Sequence, residues 1–130
     1  MIGLHQELAE RHAAGKPVRI GLIGAGQMGT DVVATVSMMK GIDVPAVADV
    51  NISRAKASYE IAGLKGQVVE ARTAAEADSA VEAGKKVVAR DYRVVADMKC
   101  LDVMVEATGV PEVGAWAVKV MVTRVKVPAG

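Results

Sequence analysis

The sequence predicts an α/β domain built on a doubly wound parallel sheet, and three observations carry that expectation. A short apolar run, Val18 to Ile23, ends in a glycine-rich turn and leads straight into a helix-like segment. Further apolar runs at Asp43 to Ala48, Lys86 to Ala89 and Leu101 to Glu106 alternate with helix-like stretches and show few hairpin signals. The apolar residues are nearly all Val, Ala, Ile, Leu and Met; there is no Phe, and Tyr59, Tyr92 and Trp116 are the only aromatic side chains. Small and β-branched aliphatics suit a parallel sheet covered by helices. Numbered along the chain, the four strands are expected in the spatial order 3-2-1-4, joined by right-handed crossovers.

Each element follows from local signals. Leu4 to Ala14 reads as a short helix with Leu4 and Leu8 on one face, stopped by Gly15 and Pro17. Val18 to Ile23 is the first strand. The helix after Gly26 carries Val32, Val33, Val36 and Met39 at helical spacing and ends by Gly41. Its three valines are poor helix formers, so packing has to hold it. Met38 and Met39 read as core filler. Asp43 to Ala48 is the second strand, where Pro45 predicts an irregular or unpaired start. Asn51 or Ser53 caps a helix running to Ala62, which Gly63 stops. Ala71 to Ala83, bounded by Gly84, is rich in Ala and Glu and reads as helical. Lys86 to Ala89 is the third strand, Asp91 to Met98 holds one or two helical turns, and Leu101 to Glu106 is the fourth strand. After the turn Ala107-Thr108-Gly109, Pro111 can occupy the first turn of another helix through Ala117.

The bulk properties narrow the function. The 130 residues suit one domain, with an N-terminal helix and lead-in over 1–17 and an atypical end over 118–130. Sixteen basic against fifteen acidic residues leave a net charge of +1, and no basic stripe stands out. With so few aromatic platforms, nucleic acid is not an expected partner. No window of about 18 uninterrupted apolar residues and no signal-peptide stretch occurs, so no membrane association and a cytoplasmic location are expected. The lone Cys100 excludes an internal disulfide, has no evident partner base, and reads as a packed, inert thiol. His5 and His12 lack metalloprotease spacing and read as solvent-facing, so no metal site is expected.

The chemistry concentrates in Gly24-Ala25-Gly26-Gln27-Met28-Gly29, a Gly-x-Gly-x-x-Gly pattern placed between a strand and a helix. In that setting Gly24 permits the tight turn and Gly26 lets the backbone approach a pyrophosphate. Gly29 lets the helix pack closely on the strand, and the helix N-terminus faces the phosphates. Asp49 ends the second strand, where a carboxylate accepts hydrogen bonds from the adenosine ribose hydroxyls. That favours NAD over NADP, since a carboxylate repels a 2′-phosphate. Arg54 or Lys56 on the next helix is the alternative, able to neutralise such a phosphate, although both also suit solvated helix positions. Ala107, Thr108 and Gly109 form a small-residue turn at the carboxyl edge of the sheet, leaving room for a nicotinamide ribose. These features together describe a Rossmann-like dinucleotide domain with an incomplete second half.

Three stretches, Ile20 through Val33, Ala80 to Lys85, and Leu101 to Gly114, resemble the N-terminal domain of the homoserine-dehydrogenase-like NAD(P)-dependent oxidoreductases. That group includes reductoisomerase-like proteins, which often carry a C-terminal SAF domain. The resemblance covers most of residues 1–117, with Glu106 to Gly114 its most distinctive part. It implies cofactor contacts at Gly24, Ala25, Gly26, Gln27, Met28 and Gly29 and at Ala107 to Gly109. It supplies no catalytic residue, because the family's substrate domain lies beyond the matching stretch. It also breaks off where Val118 to Val127 runs to Pro128-Ala129-Gly130 with no sign of the family's turn and fifth strand.

The expected function is therefore the dinucleotide-binding part of an oxidoreductase that moves hydride to or from a small carbonyl or alcohol, with the substrate domain absent from this chain. The alternative is a non-enzymatic nucleotide-sensing or interaction domain. A flavin or S-adenosylmethionine site on the same fold ranks lower, because the acidic residue expected for dinucleotides is present. The shortened second half also leads one to expect an exposed sheet edge and self-association.

Overall fold

The computed structural model describes residues 4–63 and 66–107. In chain order the elements are α1 (Leu4–Ala13), β1 (Val18–Ile23), α2 (Gln27–Ser37), β2 (Ile42–Ala48), α3 (Ile52–Ile61), β3 (Val68–Glu70), α4 (Ala74–Glu82), β4 (Lys86–Ala89), α5 (Tyr92–Ala96) and β5 (Val103–Glu106). The strands form one five-stranded sheet in the order β3-β4-β2-β1-β5, and every pairing is parallel. The helix expected from Pro111 and the segment Val118 to Val127 lie outside the described residues.

The four strands expected from sequence are β1, β2, β4 and β5, in the expected order. The sequence reading misses β3. Three residues are too few to show a period, and among the described residues β3 sits at the sheet edge, paired only with β4. Its ladder continues into Ala71, whose N–H donates to Val88 O at 2.9 Å. The helix expected from Ala71 therefore starts later, at Ala74, where the Thr73 hydroxyl accepts from Glu76 N–H.

Helices cover both faces. Leu22, Val33, Val44, Val47, Ala55 and Tyr59 close the core between the sheet and α2 and α3. Ala46, Val87, Ala89, Val81, Val95 and Met98 do so beneath α4 and α5. Strand alternation would send Val44 and Ala46 to the same face. Instead the register slips between Arg19 opposite Asp43 and Gly21 opposite Ala46, so that Val44 and Val47 share a layer. This is a bulge at Pro45, the irregular start expected of a residue without an N–H. The buried Tyr59 hydroxyl donates to the Val44 carbonyl at 2.8 Å, satisfying an acceptor beside the bulge.

Met38 and Met39 correct the sequence reading, being exposed by 87% and 37% rather than in the core. Helix α2 ends at Ser37, one turn short of the expected limit, and both methionines fall in the turn to β2. That turn needs Gly41, at φ +83°, where a Cβ would strike the backbone of Leu8 in α1.

Candidate functional site

All five strands point the same way, so their carboxyl ends share one edge of the sheet. Beta1 has β2 on one side and β5 on the other, and the chain reaches these neighbours through connections running in opposite directions. Open α/β sheets form their ligand crevice at such a switch point. Here a cleft of about 290 Å³ opens among the loops that follow β1, β2, β4 and β5.

The glycine turn forms its floor. Gly24 has φ +97°, a conformation open to glycine, and its N–H donates to Ala48 O at 2.7 Å, tying the turn to β2. At Gly29 a Cβ would run into the Gly24 carbonyl oxygen, so α2 can lie this close to the turn only without a side chain there. At Gly26 the result differs. Among the described residues a Cβ there would find only the Arg54 guanidinium, at 4.0 Å, and would otherwise stand in the cleft. Gly29 thus serves packing, whereas Gly26 keeps space open.

Gly26 is also the N-cap of α2, and it contributes no side-chain acceptor. By contrast Asn51, Thr73 and Asp91 cap α3, α4 and α5 through their side chains. No acidic residue occupies the first turn of α2. Its N-terminal amides and the positive end of its dipole therefore have no capping side chain from Gly26 and no acidic side chain in the first turn to face them. Gln27, Met28 and Gly29 form that first turn; the Gln27 side chain is exposed and reaches along the helix to Asp31 Oδ1 at 3.4 Å. Ala25 is buried, and its role is carried by its backbone N–H.

Asp49 stands where expected, directly after β2, and lines the cleft. Its Oδ2 accepts from Ala25 N–H and its Oδ1 from Asn51 N–H, both at 2.8 Å. The carboxylate therefore links the glycine turn to the start of α3. Arg54 Nη1 lies 4.0 Å from Oδ2. Ala107 also lines the cleft, held by its N–H to Ile23 O at 2.8 Å, while Thr108 and Gly109 lie outside the described residues.

The structure thus brings together Gly24, Gly26, Asp49 and Ala107 from distant parts of the sequence. Arg54 lines the cleft, whereas Lys56 is exposed and not part of the lining. Sequence reasoning missed Val50, Arg90 and Tyr92, which complete the wall between β2 and β4. The available signal was positional: Arg90 follows β4 as Asp49 follows β2, at the same edge of neighbouring strands.

The cleft lining holds no thiol. Burial, and then hydrogen bonding to Asp78, push the Cys100 thiol up to about 12, and Cys100 sits near the start of β5 at the other edge of the sheet. Among the described residues, no group of three or more His, Cys, Asp or Glu side chains is placed to hold a metal, and no helix is long and apolar enough to cross a membrane. The chain matches no protein-family model, and no curated protein matches its sequence.

Proposed function

We propose that this chain holds the dinucleotide-binding site of an NAD(P)-dependent oxidoreductase acting on a small carbonyl or alcohol. The observation that carries the proposal is Gly26. It leaves α2 without a side-chain cap and keeps the adjoining cleft clear, where a Cβ would intrude. A pyrophosphate fits those two properties together: a doubly charged group close to backbone amides. The resemblance of residues 20–33, 80–85 and 101–114 to homoserine-dehydrogenase-like proteins supports the oxidoreductase part.

The residues divide the work along the cleft. The amides of Gln27, Met28 and Gly29 would bind the phosphates. Asp49 keeps Ala25 in place and so fixes the shape of the turn. Ala107, after β5, leaves space on the far side of β1 for the nicotinamide ribose. The nicotinamide, when bound, supplies the hydride chemistry, and the protein positions it.

Isothermal titration with NADH and NADPH tests this reading, with saturable binding of at least one expected in the micromolar range. Failure of both to bind at millimolar concentration refutes it. Turnover of homoserine or a similar alcohol by this chain alone would exclude a purely sensing role.

A further inference from the structure

We infer that the adenosine half of this cleft is built for a phosphate on the ribose 2′ oxygen, so that NADP, not NAD, is the preferred dinucleotide. This rests on the dinucleotide reading above and narrows it. The sequence alone leans the other way, because Asp49 sits where a carboxylate would accept the ribose hydroxyls. Its environment weakens that preference. The Asp49 side chain is only 6% exposed, and each of its oxygens already accepts one backbone N–H at 2.8 Å. Its charge is spread over two amides and faced by Arg54, so little of it is presented to the cleft.

What the cleft does present there is positive. Arg54, from the first turn of α3, is 55% exposed, and Arg90, directly after β4, is 67% exposed. They approach the same space from neighbouring strand ends. Neither is tightly bound: Arg54 lies 4.0 Å from Asp49, and Arg90 Nε lies 3.7 Å from Glu70 Oε1. Charge-assisted hydrogen bonds run nearer 2.7–2.9 Å, so both guanidiniums keep donors for a ligand. Glu70 is the opposing charge, and its separation from Arg90 leaves room for a stronger anion to compete. A planar guanidinium engages a phosphate through two parallel hydrogen bonds, which a ribose hydroxyl cannot match. With the pyrophosphate at α2 and the nicotinamide towards β5, the adenosine ribose falls on the β2 and β4 side, beside these two arginines.

Equilibrium titration of the intact chain with NADPH and NADH reads this directly, with NADPH expected to bind at least about tenfold more tightly. That preference is the size of one charge-assisted hydrogen bond. Arg54→Ala and Arg90→Ala should each weaken NADPH about tenfold and leave NADH nearly unchanged. Both side chains are exposed, so thermal melting should show both variants folded. Adenosine 2′,5′-bisphosphate should displace bound NADPH at concentrations where 5′-AMP does not. Equal or tighter binding of NADH overturns the inference and leaves the dinucleotide reading intact. So does an equal loss of both dinucleotides in Arg54→Ala, which would mean that the guanidinium packs on adenine. Binding of neither dinucleotide refutes both.

Discussion

Where the strands begin, the charged groups close on one another; where they end, they are held apart around open space. At the first edge Lys86 Nζ lies 2.6 Å from Asp43, and the Arg19 guanidinium 2.9 Å from Glu82. Arg19 N–H donates to Asp102, and the Asp78 carboxylate accepts from the amides of Lys99 and Cys100. At the second edge Asp49 is spent on backbone amides, the two arginines are loosely paired, and one helix start has no side-chain cap. Both edges are polar, so polarity alone does not mark a site. The difference is whether polar groups satisfy each other or face a cavity. This difference makes stability and ligand binding separable by mutation.

The strongest test compares two glycines in the same turn. Gly29→Ala drives a Cβ into the Gly24 carbonyl, so α2 or the turn has to move. Overpacking of this kind costs about 1–3 kcal/mol, and we expect it towards the upper end, with dinucleotide binding lost as well. Gly26→Ala adds a Cβ in open space, at φ −71°, which any residue adopts. Stability should change by no more than about 0.5 kcal/mol. Binding should nonetheless fall at least about tenfold, the equivalent of roughly 1.4 kcal/mol. Chemical denaturation alongside titration measures both quantities. Full binding by Gly26→Ala would erase the distinction between the two edges.

The next effect belongs to the interior near the first edge. Tyr59→Phe leaves the Val44 carbonyl without its buried donor and should cost about 1–3 kcal/mol, with dinucleotide affinity unchanged. Tyr59 also sets a pH dependence, because burial raises its ionisation well above the usual range. An unfolded tyrosine loses its proton near pH 10, while the folded one keeps it, so its contribution is complete below about pH 10. Above that pH the unfolded chain gains by ionising, and stability falls until the folded group titrates too. Melting temperatures between pH 9 and 11 should therefore drop more steeply in the parent chain than in Tyr59→Phe. Parallel slopes would remove Tyr59 from the account.

What was legible in the sequence follows the same division. The glycine turn and Asp49 are local signals, each defined by its place beside a strand and a helix start, and they appear where expected. The Pro45 irregularity is also local, because a missing N–H acts wherever it sits. Arg90 and Tyr92 carry no local mark. The expected strand order already sets β4 beside β2, so only the place of Arg90 directly after β4 could have marked them. The apolar spacing through Met39 misled in the opposite direction. Periodicity ran past the point where α2 ends at Ser37, and the two methionines were assigned to a core they do not reach. The inference about the ribose 2′ position rests on the burial and hydrogen bonding of one carboxylate, which composition and spacing do not encode.

The smallest effect should come from an exposed ion pair that looks strong by distance. Arg19 and Glu82 meet at 2.9 Å, and Glu82 raises the Arg19 pKa through their hydrogen bond. Their side chains are 31% and 63% exposed, so water and salt screen the pair. Ordering two long side chains also consumes part of the gain, and pairs of this kind are worth about 0.2–1 kcal/mol. Glu82→Gln should lie near the bottom of that range in dilute buffer and vanish in about 1 M salt, where the screening length is roughly 3 Å. Dinucleotide affinity should not change, because the pair sits at the edge away from the cleft. A loss above about 2 kcal/mol that survives high salt would show that the first edge is held by a network rather than by independent pairs. Asp102, which accepts the Arg19 N–H, would then be the next residue to test.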